Sequence, residues 1–276
     1  MNTLVRRLLR TPQGAIGSFV LLVVLTFCLF GPWLAPHDPD AIDFLGRFRP
    51  PGARLWLGGD QFGRDVLSRV LVGARSTVPL AVLATLLGTA GGSVIGTVSA
   101  YLGGRWDEAI MRSVDAVMAI PGLLLALLLV SSLGNGSFNA TVAIAVAFVP
   151  GMARVTRSVA LAVRAQDYVQ AAVARGEGAW FVVLREMLPN VAGPVVVETT
   201  IRVAFAVMMF ATLSFLGLGA QPPAADWGLM VAEARGFIHQ APWVMIAPAV
   251  AIGLTAIGFN LLGDGLRDAL NPRDRG

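Results

Sequence analysis

The chain contains no lysine: its 21 basic residues are all arginine. That absence removes a P-loop lysine, a Schiff-base lysine and any catalytic ammonium, so the chain cannot by itself be a P-loop ATPase. The single cysteine, Cys28, can form no internal disulfide. With two histidines far apart, His37 and His239, a dedicated zinc or haem site is not expected. An intramembrane enzyme would need a nucleophile–base or metal constellation, and these few residues do not supply one. Charge is also scarce, at 14% of the 276 residues, against roughly 25% in soluble chains.

What fills the sequence instead is apolar: 55% hydrophobic residues and a mean hydropathy of +0.70. A disordered chain is excluded. The net charge of +4 comes from arginines that flank apolar runs, which fits membrane orientation better than nucleic-acid binding. A membrane helix needs about 20 apolar residues to cross roughly 30 Å. Six runs qualify, at 16–34, 78–102, 113–133, 138–163, 191–216 and 243–263. They are too long for strands and do not alternate with polar residues. The expected fold is an all-α integral membrane protein with six transmembrane helices.

The first run follows Arg6, Arg7 and Arg10, as a signal peptide would. It is longer than a signal core, and Trp33, Pro36 and Pro39 follow it in place of a small-residue cleavage site, so it reads as an uncleaved span. The chain divides into residues 1–77 (cytosolic segment, first span, outer loop) and a core, 78–276, with five spans and a long loop at about 164–190. A cytosolic N-terminus puts the short basic segments 1–15, 103–112, 164–190 and 264–276 inside. The outer segment 35–77 is awkward for that orientation, since it holds Arg47, Arg49, Arg54, Arg64, Arg69 and Arg75. Trp33, Trp106 and Trp243 fall at span ends, where amphipathic rings sit at an interface or pack against loops.

Within the spans, Gly88, Gly92 and Gly96, with Ala84 and Ala100, make one small-residue face. It serves either packing inside the chain or docking of a partner. Glu198 and Arg202 lie four apart in the fifth span, at pairing distance on one helix face. Charges at that depth face a bundle interior or a water-filled cavity, so both a substrate path and a structural ion pair stay open. Asp115, Asn260 and Asp264 read as interfacial or capping residues. Pro121, Pro150, Gly151 and Pro248 mark either a cavity or simple kinks.

Residues 168–190 read YVQAAVARGEGAWFVVLREMLPN. The pattern predicts a short helix, a sharp turn at Gly176 and a second helical piece ended by Pro189. Such a protruding helix–turn–helix is a plug for a groove on a partner.

The segment resembles the EAA loop of ATP-binding-cassette importer permeases, with Gln170, Ala171, Ala172, Gly176, Leu188 and Pro189 in the motif positions. Gln170 departs from the motif's glutamate. Five further stretches, at 57–75, 121–130, 213–223, 227–235 and 259–272, are similar to the second permease subunit of dipeptide, oligopeptide and nickel importers. The resemblance covers nearly the whole chain. It implies a type I importer fold and pairing with a homologous permease. It also implies two cytosolic ATP-binding subunits that hold ATP and magnesium, and an extracytoplasmic substrate-binding protein. The chain itself would be non-catalytic and carry no cofactor, with its EAA loop as the coupling helix. Peptides are the first-choice substrate and nickel the alternative. A secondary transporter would show internal repeats and several intramembrane carboxylates; no repeat is visible, and Glu198 is the one deep carboxylate.

Overall fold

Local side chains set where the helices begin. The computed structural model describes residues 2–270, so Arg273 and Arg275 of the C-terminal basic segment lie outside the described residues. After α1 (Asn2–Leu8), Thr11 accepts the Gly14 N–H at 3.2 Å and Pro12 supplies a helical φ, which starts α2 (Pro12–Leu34). Asp65 caps α3 (Val66–Leu102), accepting the N–H groups of Leu67 and Ser68. α3 therefore begins well before residue 78, and the loop ahead of it shortens to 35–65. The early turns carry Arg69 and Arg75, so hydropathy alone places the start too late.

The expected third span, 113–133, is two helices. α4 (Gly104–Met118) and α5 (Gly122–Leu133) are bent by 83° at a short break. Pro121 has no N–H to give and disfavours helical backbone at Ile120. α6 (Ser137–Arg164) and the short α7 (Asp167–Ala174) follow. Beyond Gly176, α8 (Ala179–Phe181), a π-helical turn (Val182–Met187) and α9 (Leu188–Phe215) form one rod, Ala179–Phe215. Pro189 was expected to end a helix, yet the rod runs through it. The π turn just before it is the physical reason: Leu188 N–H bonds back five residues to Val183 O, and the widened turn accepts a residue without an N–H. α10 (Trp227–Ala234) is short, and α11 (Pro242–Leu270) closes the bundle.

The described residues are helical with no strand elements. Five helices are long and apolar enough to cross a membrane, and the bent α4–α5 pair makes the sixth span. α3 lies along α6, while α11 packs on α2 and α9. Phe19, Leu22, Leu25 and Leu29 of α2 are exposed, as a lipid-facing helix requires. The bundle has two ends, one carrying the 35–65 loop and the other carrying α7.

Gly88, Gly92 and Gly96 all face α6. A Cβ on Gly92 would lie 2.5 Å from Met152 Cβ and 2.6 Å from Val149 O, and one on Gly88 2.7 Å from Ala145 O. One on Gly96 would collide with Ala153 O. Of the two uses open to this stripe, the structure places it in backbone-close packing inside the chain.

At the first-loop end two of the six arginines that looked awkward, Arg64 and Arg69, are enclosed, while Arg47, Arg49, Arg54 and Arg75 are exposed. Arg64 Nε bonds Asp60 Oδ2 at 2.6 Å and its Nη2 bonds Glu233 Oε2 at 2.9 Å. Arg69 is buried and donates to Pro39 O, Asp40 Oδ1 and Ala224 O at 3.1–3.2 Å. Loop 35–65, α3 and the segment leading into α10 are thus held together by guanidinium groups. Asp226 caps α10 from a buried position and accepts Thr77 Oγ1 at 2.8 Å. Burial pushes its carboxyl above the usual range, opposed by the Leu229 N–H and the Thr77 hydroxyl. Trp227, almost fully buried, donates to Val70 O at 2.9 Å. Trp33 and Trp106 are exposed near helix ends, whereas Trp243 donates to Gly59 O of the loop at 3.3 Å.

Candidate functional site

Two regions carry the residues singled out in the sequence. The first is the α7 end. Val169 and Ala172 turn inward and pack with Ala100, Met152, Ala160, Val182, Met187 and Val191. Tyr168, Ala171 and Arg175 lie on the exposed side of α7, so Ala171 offers a low spot between two larger side chains. The helix closes in a complete Schellman motif: Glu177 N–H bonds Ala172 O at 3.2 Å and Gly176 N–H bonds Val173 O at 3.0 Å. Gly176 has φ +79°, and a Cβ there would meet nothing within 4 Å. Its requirement is conformational, not steric.

Gln170 is exposed and reaches back to α6. Its Nε2 donates to Arg164 O at 2.8 Å, closing the last turn of that helix. The Arg164 guanidinium lies against Gly103, where α3 meets α4: a Cβ on Gly103 would be 2.5 Å from Nη1. A cleft of about 280 Å³ lined by Tyr101, Leu102, Arg164, Val169, Gln170 and Val173 marks this meeting of α3, α6 and α7. Leu188 and Pro189 sit away from α7's exposed side, half-buried and exposed respectively, at the start of α9. The motif positions therefore split between a protruding helix and the foot of the span it leads into.

Sequence reading missed a third component here. Asp107 of α4, largely buried, accepts Arg157 Nε at 2.6 Å and Ser99 Oγ at 2.5 Å. This knot ties α3, α4 and α6 together beside the α7 end. No sequence spacing could reveal it, because its partners lie 50 and 8 positions away. Asp115, expected to be interfacial, pairs with Arg154 on the exposed surface.

The second region is mid-bundle. Arg202 Nη2 and Glu198 Oε1 are 2.9 Å apart, each partly buried. The guanidinium also lies over the Phe148 ring, 5.8 Å from its centroid. It borders a cavity of about 410 Å³ at the α4–α5 break and Pro150–Gly151 of α6. Glu198 borders a different cleft, of about 550 Å³, with Gly193, Pro194 and Arg267. Pro150 thus lines a cavity, and Pro121 lies between two of its lining residues, Ile120 and Gly122. Asn260 donates to Ala256 O within its own helix at 3.1 Å.

Residues 92–276 match the family described as binding-protein-dependent transport system inner membrane component. Residues 3–51 match the N-terminal TM domain of oligopeptide transport permease C. The chain is 42% identical to the probable D,D-dipeptide transport system permease protein DdpC of Escherichia coli K12, over 96% of this chain and 89% of that one. It is 39% identical to the glutathione transport system permease protein GsiD of Escherichia coli O6:K15:H31, over 98% of this chain and 90% of the relative. The six-span helical fold, the multi-pass membrane character and these matches over nearly the full length give one conclusion. The chain belongs to the binding-protein-dependent transport system inner membrane component family, as a permease subunit of an ATP-binding-cassette importer with the type I fold.

Proposed function

We propose that this chain forms half of the translocation path of an importer for dipeptides or oligopeptides. A homologous permease supplies the other half, an extracytoplasmic binding protein delivers the substrate, and two cytosolic subunits bind ATP and magnesium and hydrolyse the nucleotide. The N-terminus and the α7 end face the cytosol. The substrate class is supported by what the relatives are named for, dipeptide and glutathione transport. Coupling through α7 is supported by one observation above all. The inward face of α7 packs on Val182, Met187 and Val191, at the foot of the rod that becomes α9.

The mechanism follows from that contact. Nucleotide binds the closed ATPase pair better than the open one, and only that difference can drive a shift in the permeases. A groove on the ATPase engages Ala171 and its neighbours on α7. Displacement of α7 passes through Val169 and Ala172 into the π turn and α9, and the two permeases rock against each other. Gly176 keeps the turn after α7 in the one conformation that holds this geometry.

Two measurements test the reading. Uptake of a labelled dipeptide, and separately of radioactive nickel, is compared in cells with the chain intact and deleted. Selective loss of dipeptide uptake is expected; loss of nickel uptake alone moves the system to metal acquisition. In the second, Gly176→Val strains the left-handed position by roughly 1–2 kcal/mol. ATP hydrolysis is expected to persist while uptake falls. Unchanged uptake at normal membrane levels of the variant would remove α7 from the coupling route.

A further inference from the structure

Arg202 stands near the middle of α9, one helical turn beyond Glu198. A guanidinium has five N–H donors. Glu198 Oε1 lies 2.9 Å from Nη2 as an ion pair, and the Nε–H is buried without an acceptor among the described residues. The group is held flat: Phe148 lies beneath it, and a Cβ on Gly151 would sit 3.0 Å from Nη2 and 3.1 Å from Nη1. Gly151 is therefore the residue that lets the guanidinium lie against α6.

The cavity it borders, about 410 Å³, is otherwise apolar, with Val117, Ile120, Leu123, Phe205 and Met209 among its lining residues. Arg202 is the one charged residue lining it, and Glu198 opens onto the other cleft. A solute entering the cavity meets the cation without meeting its carboxylate partner. The cavity also lies at the break between α4 and α5. Non-helical backbone at membrane depth is tolerated where it is enclosed by protein or lines a watery cavity. A charge at that depth points to a pathway by the same argument.

From this we infer that Arg202 is a carboxylate-binding subsite on the translocation path. It receives the C-terminal carboxylate of a passing peptide through the guanidinium N–H groups that reach the cavity, while the apolar wall takes the adjoining side chain. Gly151 is a positioning residue for it. The volume falls within the range of roughly 300–1,000 Å³ typical of small-molecule sites, enough for one end of a peptide. Retaining Glu198 keeps the bound state from becoming a trap, because the two carboxylates compete for one guanidinium. The inference rests on the peptide-importer reading above.

The test uses the complete importer: this permease, its partner permease, the ATPases and the binding protein. Dipeptide uptake by the wild-type assembly checks the reading itself. A Phe205→Cys variant then places a thiol on the cavity wall, with Cys28 buried elsewhere in α2. Its alkylation in the purified complex is timed with a free dipeptide and with the same dipeptide as its C-terminal amide. The free acid is expected to slow labelling severalfold and the amide to have little effect. Adding Arg202→Gln should abolish the difference, and Arg202→Lys should restore part of it. Glu198→Gln with Arg202→Gln, which keeps the pair neutral, controls for an unpaired buried charge. In the transport assay, Arg202→Gln should lower free-acid uptake about tenfold, the scale of one charge-assisted hydrogen bond. Gly151→Ala should lower it in the same direction. Equal protection by acid and amide, or none by either, in a complex that transports dipeptide would overturn the subsite and leave the importer reading standing. Failure of wild-type dipeptide uptake would overturn the reading and, with it, the subsite.

Discussion

At Gln170 the departure from glutamate changes hydrogen-bond chemistry more than shape. Its amide donates to Arg164 O at 2.8 Å, and a carboxylate in that place would set two acceptors against each other. The contact joins the first turns of α7 to the end of α6, while burial of Val169 and Ala172 holds α7 independently. Gln170→Glu and Gln170→Ala should therefore destabilise the junction by a similar amount, about 1 kcal/mol. Thermal unfolding of the purified complex measures this. If the glutamate variant were instead more stable than the alanine one, a contact with the Arg164 guanidinium would have replaced the lost donor. The sequence marked Gln170 as a departure, and its pairing of Glu198 with Arg202 followed directly from four-residue spacing. The amide's partner was not legible, because it is a main-chain oxygen exposed by where α6 stops. Asp107, Ser99 and Arg157 were invisible for a related reason: the knot exists only after three helices have met.

Among the elements, apolar length carried most of the information. Helices α2, α6, α9 and α11 lie where the hydropathy runs put them, apart from a few residues at their ends. Misplacements occurred where another force overrode hydropathy. α3 extends past its apolar run because Asp65 caps it and Arg69 finds acceptors inside protein. The third span breaks at Pro121, which the sequence did flag, though with a kink and a cavity equally open. Pro189 shows the converse, since a π turn lets a helix continue through proline. The glycine stripe gives a test at this scale. Gly92→Ala drives α3 from α6, with its Cβ 2.5 Å from Met152 Cβ; at neighbouring Gly91 the nearest atom is Val149 Cγ2 at 3.3 Å. Overpacking of this kind typically destabilises by about 1–3 kcal/mol. Gly92→Ala should reduce the amount of assembled permease in membranes, and Gly91→Ala should leave it nearly unchanged. Equal effects would mean that the two helices separate easily.

For the whole molecule, the open question of orientation reduces to which end of the bundle meets the cytosol. The chain passes alternately between the ends: α2 runs toward the 35–65 loop, α3 returns to the α7 end, and the α5–α6 loop lies back beside the end of α9, where Gly136 N–H bonds Leu218 O at 3.0 Å. Arg6, Arg7, Arg10, Arg105, Arg164, Arg175 and Arg185 gather toward the α7 end. At the other end, Arg64 and Arg69 are sealed into ion pairs with Asp60, Glu233 and Asp40, which leaves Arg47, Arg49, Arg54, Arg75 and Arg235 as its exposed arginines. Basic loops stay on the cytosolic side of a membrane, so the α7 end should be inside. Cys28 is buried in α2, which leaves a quiet background for introduced thiols. Phe44 is 80% exposed in the first loop, and the Glu108 side chain is 60% exposed near the start of α4. In intact spheroplasts, a membrane-impermeant thiol reagent should label Phe44→Cys at once and reach Glu108→Cys only after permeabilisation. The reverse pattern would invert the molecule, set α7 outside, and put it beyond the reach of any cytosolic ATPase.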